Sequence, residues 1–248
     1  MNKCVAHRGW SGRAPENTLT AFKLALLEPK IEAIELDVHL SKDGVPVVIH
    51  DHTLERTTDG KGAVIAHTIE ELTQLDAGKW FGEPFAGERI PLLEEVLYLA
   101  KEKKHLLIEL KQAGTLYHRL EEKVANLIKK YDMQKQVTII SFNHESLRKI
   151  KKLDEKLEIG LLFSGRPTML AEQLEFTRAS HLSINHAFLT EELVESFKNH
   201  PVKIGAWTVN DKQSLTRIMK LSEDILITTN YPELMMLTKT NRQPSPSM

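Results

Sequence analysis

Two histidines and three carboxylates, set in or beside short apolar runs, mark the first half of this sequence as a place where chemistry could occur. His7 and Arg8 close the run Cys4 to Ala6 and lead through Gly9 and Gly12 to Pro15-Glu16-Asn17. Glu35 and Asp37 alternate with Ile34, Leu36 and Val38, and "VPVVIHD" then brings in His50 and Asp51. Further on, "HLLIELK" ends in Glu109 and Lys111. Side chains alternate along a strand, so Glu35 and Asp37 share one face and their apolar neighbours the other. None of these polar groups belongs in a core unless something pairs with it.

Carboxylates held side by side in a partly buried site repel one another unless one is protonated or a cation lies between them. Glu35, Asp37 and Glu109, with no sulfur among them, suit a hard divalent cation, Mg²⁺ or Ca²⁺, better than zinc. The alternative is that each pairs with Arg8, Lys111 or another base and no metal binds. His7 and His50 supply two imidazoles beside that charge, expected to titrate near neutrality. One could take a proton from a nucleophile and the other give one to a leaving group. Arg8 and Lys111 are the natural partners of phosphate oxygens. Trp207, and Phe142 in "IISFNH", stand at the ends of later apolar runs and read either as a wall for a small substrate or as packing. Of the eleven histidines, eight others, His39, His52, His67, His118, His144, His181, His186 and His200, read as surface or structural. The set as a whole describes phosphoryl-group chemistry.

Something must bring these residues to one place. Eight short β-rich runs recur along the chain: Cys4 to His7, Ala33 to Val38, His105 to Leu110, Val137 to Phe142, Ile159 to Phe163, His181 to Asn185, Lys203 to Val209 and Ile225 to Thr228. Between them lie amphipathic stretches with helical spacing, such as "YHRLEEKVANLIKKY" and "DKQSLTRIMKLS". Eight strand-helix units in 248 residues predict an α/β fold, the (β/α)₈ TIM barrel, whose active site lies at the C-terminal ends of its strands. "VPVVIHD" follows the second strand too soon for a parallel crossover and should return as a hairpin extending that strand. A turn centred between Lys42 and Asp43 would set His50 opposite Glu35. Residues 52–90 then form a small insertion, read as a lid or subdomain. The expectation is a single domain over residues 1–240 and a disordered tail at 241–248, where proline and polar residues dominate.

Composition narrows the partners. Hydrophobic residues at 41%, charged residues at 27% and a net charge of -1 describe an ordinary globular chain with no electrostatic footprint for nucleic acid or an anionic membrane. Cys4 is the only cysteine, so no intrachain disulfide forms. No run approaches the roughly 18 apolar residues of a membrane span. The expectation is a cytoplasmic protein with a small-molecule partner, of oligomeric state left open.

Taken in order, "HRG" at 7–9, "PENTLTAF" at 15–22, "IELDVHLSKDGVPVVIHDHTLERTTDGKG" at 34–62, "IPLLEEVL" at 90–97, "IELK" at 108–111, "WTVN" at 207–210 and "ITTNYPE" at 227–233 resemble the glycerophosphodiester phosphodiesterase family over nearly the whole chain. The resemblance implies a TIM barrel with an insertion after strand two, and hydrolysis of glycerophosphodiesters, the deacylated phospholipid head groups, to sn-glycerol 3-phosphate and an alcohol. It also implies His7 and His50 as general base and acid, Glu35, Asp37 and Glu109 as ligands of one divalent cation, and Arg8 and Lys111 on the phosphate. Trp207 would line the glycerol end. Leu92 and Asn230 depart from the family pattern, where threonine and aspartate are common. Rival readings are a lysophospholipase D, a phospholipase that stops at the cyclic phosphate, and a barrel that binds phosphodiesters without turnover.

Overall fold

A computed structural model describes residues 2–240. The expected tail at 241–248 lies outside the described residues. Nine strands appear among them: β1 (Lys3–Ala6), β2 (Ile31–Leu40), β3 (Pro46–Val48), β4 (His105–Leu110), β5 (Val137–Ser141), β6 (Glu158–Phe163), β7 (His181–Asn185), β8 (Lys203–Trp207) and β9 (Leu226–Thr229). Eight close into a parallel ring in the order β1-β2-β4-β5-β6-β7-β8-β9, with β1 hydrogen-bonded to both β2 and β9. β3 stands outside the ring, antiparallel to the far end of β2. This is the expected TIM barrel with its hairpin extension.

Helices α1 (Leu19–Leu27), α2 (Ile69–Gln74), α3 (Leu93–Ala100), α4 (Leu120–Lys130), α5 (His144–Leu153), α6 (Leu170–Thr177), α7 (Glu191–Ser196), α8 (Lys212–Leu221) and α9 (Pro232–Thr240) follow the strands, except α2, which belongs to the insertion. Local sequence starts several of them. Thr18, Asn143, Thr190 and Asp211 each accept a backbone N–H of the first turn, at Ala21, Ser146, Leu193 and Ser214. Each such cap is worth about 1 kcal/mol. Thr68 and Glu71 form a reciprocal capping box on α2. Among the described residues no helix is long and apolar enough to cross a membrane.

Strands covered on both faces read as near-continuous apolar runs, and β2, "IEAIELDVHL", is buried at all but one position. The main core lies between ring and helices. A second cluster fills the barrel, with Val5, Ala33, Leu107, Ile140 and Leu162 stacked beneath Trp207. The insertion packs a small core of its own around Leu54, Val64, Leu72, Ala77 and Ile90, joined to Val47 and Ile49 of the hairpin.

The first helix begins at Leu19 behind its Thr18 cap, and Asn17 takes a left-handed φ of 57° and gives its side chain to Asp37. One feature departs from the sequence reading. The hairpin register is one residue away from that expected: Val38 faces Val48, and the Ile49 N–H donates to the Asp37 carbonyl. A three-residue loop closes the hairpin, with Gly44 at φ 76° and Ser41 N–H donating to the Val45 carbonyl. The turn therefore centres on Asp43, and continued pairing would set residue 50 opposite Leu36. His50 reaches the barrel mouth because the chain leaves the strand after Val48, not because it pairs opposite Glu35.

Candidate active site

His7 is the first residue past β1, with its N–H donated to the Thr229 carbonyl of β9. The chain turns sharply there: Arg8 has φ 56° and Gly9 φ 79°. Any side chain at Gly9 would meet Ala21 of α1, whose backbone carbonyl carbon lies 2.7 Å from where a Cβ would sit. The turn aims the Arg8 N–H at Glu35 Oε2, 3.0 Å away. Glu35 and Asp37 share the inward face of β2, and Asp37 is the register partner of Glu109 on β4. All three carboxylates are buried, with one oxygen from each lying within 4.8 Å of the other two.

A cavity of about 90 Å³ opens over them, lined by His7, Arg8, Glu35, His50, Glu109, Lys111, Phe142 and Trp207, with Leu107, Ile140 and Leu162 below. Asp37 lies behind this lining. Trp207 and Phe142 meet edge to face at 5.6 Å. Beyond Phe142 and Lys111 the cavity widens into a groove of about 610 Å³ that passes His52, Gln112, Asn143 and His144. The structure thus brings all nine sequence-chosen residues to one end of the barrel, eight on the cavity wall and Asp37 just beneath.

The carboxylates are not fully compensated by the chain itself. Lys111 Nζ lies 2.7 Å from Glu109 Oε1 and 2.9 Å from Asp37 Oδ1, the latter contact off the direction of a hydrogen bond. Burial alone would raise Asp37, but Lys111 and Arg8 hold its carboxyl well below the usual range, helped by the Asn17 amide at 2.8 Å. Glu35 has the Arg8 N–H and no cationic hydrogen-bond partner; burial, Asp37 and Glu109 push its carboxyl well above the ordinary value. Burial also takes Glu109 up to about 7, against the pull of Lys111. An all-oxygen cluster that must take up protons to stay buried fits a hard divalent cation, which would replace those protons. Both sequence readings of the carboxylates therefore meet here, two basic partners and charge left over.

His7 does not titrate near neutrality as expected. Burial and Arg8 bring it down to about 4, against the opposing pull of Asp37. Its Nδ1 lies 2.6 Å from Asn230 Oδ1, which can only accept, so Nδ1 carries the hydrogen and the Nε2 lone pair faces the cavity, 3.7 Å from Glu35. His50 is also lowered, by burial first, although Asp37 opposes this. Its Nδ1 meets Asp51 Oδ1 at 2.6 Å. Its carbonyl accepts from His39 Nε2 at 3.0 Å, and His39 Nδ1 in turn takes the Tyr117 hydroxyl at 2.6 Å.

Several supporting residues carry no signal that marks them in the sequence. His39 and Tyr117 hide in apolar surroundings, and Asn17 looks like a helix cap. Glu16 and Arg56 are forty residues apart and meet only in the fold. Asn230 stands out only as a departure from a family pattern.

The family model for the "Glycerophosphoryl diester phosphodiesterase family" matches residues 7–234. A glycerophosphodiester phosphodiesterase of Caldanaerobacter subterraneus subsp. tengcongensis is 45% identical over 239 residues, 95% of this chain and 97% of its own. One from Bacillus altitudinis is 37% identical over 238 residues, covering 94% and 96%. Among solved structures, an Oleispira antarctica phosphodiesterase in complex with the product sn-glycerol-3-phosphate superposes with a TM-score of 0.91 at 32% identity, covering 97% of this chain and 98% of that one.

Proposed function

The chain belongs to the glycerophosphoryl diester phosphodiesterase family, and on that premise we propose that it hydrolyses glycerophosphodiesters to sn-glycerol 3-phosphate and an alcohol, with His7 as general base and His50 as general acid. The observation that carries the reading is one small cavity lined by both imidazoles, Glu35, Glu109, Arg8 and Lys111, with Asp37 completing the buried acidic triad just beneath.

Arg8 and Lys111 draw the phosphodiester toward the triad, and Trp207 with Phe142 bounds the glycerol carbons. A divalent cation, Mg²⁺ or Ca²⁺, held by Glu35, Asp37 and Glu109 would supply Lewis acidity at the phosphoryl oxygens. His7, neutral at physiological pH with its Nε2 lone pair facing the cavity, takes the proton of the attacking glycerol hydroxyl. The oxygen attacks phosphorus, and the bond to the head-group alcohol breaks with its electron pair on the departing oxygen. His50 gives that oxygen the proton of its Nε2, while Asp51 stabilises the imidazolium through Nδ1–H. Water then opens the cyclic phosphate with the two histidines in exchanged roles.

Residues 1–240 act as one catalytic domain in this reading, with 52–90 as an insertion and no role for nucleic acid or a membrane. The lone cysteine supports a cytoplasmic setting. The test is incubation with a panel of glycerophosphodiesters in EDTA and after return of each ion, with detection of glycerol 3-phosphate. Full turnover in EDTA sinks the metal reading. Accumulation of cyclic phosphate alone marks a lyase, and absence of any product removes the enzymatic reading altogether.

A further inference from the structure

The insertion carries an arginine that touches neither the cavity nor the carboxylate triad, yet reaches both halves of the proposed site. Arg56 donates from Nε and Nη2 to the two Asp51 oxygens, at 2.6 and 3.0 Å. The same guanidinium donates from Nη1 and Nη2 to the two Glu16 oxygens, both at 2.8 Å. Asp51 holds His50 Nδ1, and Glu16 holds Arg8 Nη1 at 2.7 Å. The result is an unbroken chain, His50-Asp51-Arg56-Glu16-Arg8, from the proposed acid to the proposed phosphate anchor.

Exposed ion pairs contribute little unless they are bidentate or networked, and this one is both. Two edges of the planar guanidinium are used, one on each carboxylate, which an ammonium group cannot reproduce. Two charge-assisted bonds from the guanidinium fix the Asp51 carboxylate, and that carboxylate decides where the His50 ring points. Without Arg56, Asp51 becomes a half-exposed side chain with one remaining partner, and Glu16 keeps only Arg8.

We propose that Arg56 is a positioning residue: through Asp51 it orients His50 for proton delivery to the leaving alcohol. The proposal rests on the assignment of His50 as general acid. In the step it serves, the His50 Nε2–H bond breaks and an O–H bond forms on the leaving alcohol. The phosphorus-oxygen bond opens with its electron pair on that oxygen.

A leaving group that needs no proton separates this role from a merely structural one. Glycerophosphocholine has a poor alkoxide leaving group, whereas the p-nitrophenyl ester of glycerol phosphate departs as a stable phenolate. Arg56→Gln should lower kcat on glycerophosphocholine about 10- to 100-fold, the usual effect of removing an outer-shell partner, with KM nearly unchanged. On the nitrophenyl ester it should stay close to the parent. Arg56→Lys should not restore the alkyl ester. His50→Ala, measured in parallel, should show the same preference for the aryl ester in stronger form. If Arg56→Gln slows both esters equally, or slows neither, while His50→Ala retains the aryl preference, Arg56 does not position the acid and the proposal fails alone. If His50→Ala slows both esters equally, the acid assignment itself fails and takes the proposal with it. Should Arg56→Gln not fold, Asp51→Asn severs the same chain at its next member and is read by the same pair of substrates.

Discussion

Replacing Lys111 by methionine would expose how the acidic triad tolerates burial. The ammonium sits 2.7 Å from Glu109 and 2.9 Å from Asp37, and all three groups are buried or nearly so. Removing one partner of a buried ion pair costs about 3–5 kcal/mol, since the remaining charge has lost its compensation. In a protein of this size each kcal/mol moves the melting temperature by roughly 2–4 °C, which gives a fall of about 6–20 °C in EDTA. Protonation offers a way out: Glu109 already stands near 7 and rises further when Lys111 is gone, so a proton relieves the repulsion at low pH. The loss should therefore be small at pH 6 and grow by up to about 1.4 kcal/mol for each pH unit between the parent's Glu109 midpoint, about 7, and the higher midpoint of the variant, levelling off beyond it. Adding Mg²⁺ or Ca²⁺ should raise the melting temperature more for the variant than for the parent, because the freed triad binds the ion more tightly. Thermal unfolding followed by circular dichroism at pH 6 and 8.5, with and without ion, reads all of this. A fall under about 2 °C in EDTA at pH 8.5 would refute the electrostatic account, and equal ion-induced shifts in both proteins would show that the triad is not where the ion binds.

Alanine at His7 or at His50 should abolish turnover of alkyl glycerophosphodiesters while circular dichroism and melting temperature stay near the parent's; full activity in either variant removes that histidine from its role. His181, buried in β7 and brought down to about 4 by burial and Lys203, leaves the folded protein short of a proton that the unfolded chain binds near 6.5. Stability should thus be complete above about 6.5 and decline as the pH falls toward 4, by on the order of 3 kcal/mol, with His181→Gln flattening the decline in urea titrations at pH 7 and 4.5. Gly9→Ala places a methyl group against the Ala21 backbone in a left-handed turn, and should lower the unfolding free energy by more than the roughly 1 kcal/mol of an ordinary glycine-to-alanine strain, read as a lower urea midpoint; an unchanged midpoint would mean that β1 and α1 are free to move apart.

The barrel was legible because its strands are covered on both faces, and stretches such as "HLLIEL" and "VTIIS" can be little else between amphipathic helices. The triad followed from the same regularity, since alternation along β2 puts Glu35 and Asp37 together and parallel pairing brings Glu109 beside Asp37. The hairpin register was missed by one residue because Gly44 permits a three-residue loop, and loop length is set by backbone dihedrals that composition alone does not rank. The His7 titration was missed for another reason. Charge neighbours can be inferred from strand ends, but the depth of burial, which dominates here, depends on the whole ring. Glu16, Arg56 and Asn230 lie on three separate loops, and no period in the sequence relates one loop to another.

The seam of the ring has a consequence for the order of events during synthesis. β1 pairs with β9, and the proposed base near the start of the chain has its tautomer fixed by an amide 223 residues later. Every other proposed site residue has emerged by Trp207, yet His7 waits for the stretch that carries Asn230. Closing a loop of that length costs about 5 kcal/mol of chain entropy by the logarithmic rule, and the β1–β9 ladder must supply it. A nascent chain stopped before residue 226 would hold both imidazoles and all three carboxylates with nothing to direct the first proton transfer. The first strand and the proposed base thus take their final arrangement only when the last strand has joined the first.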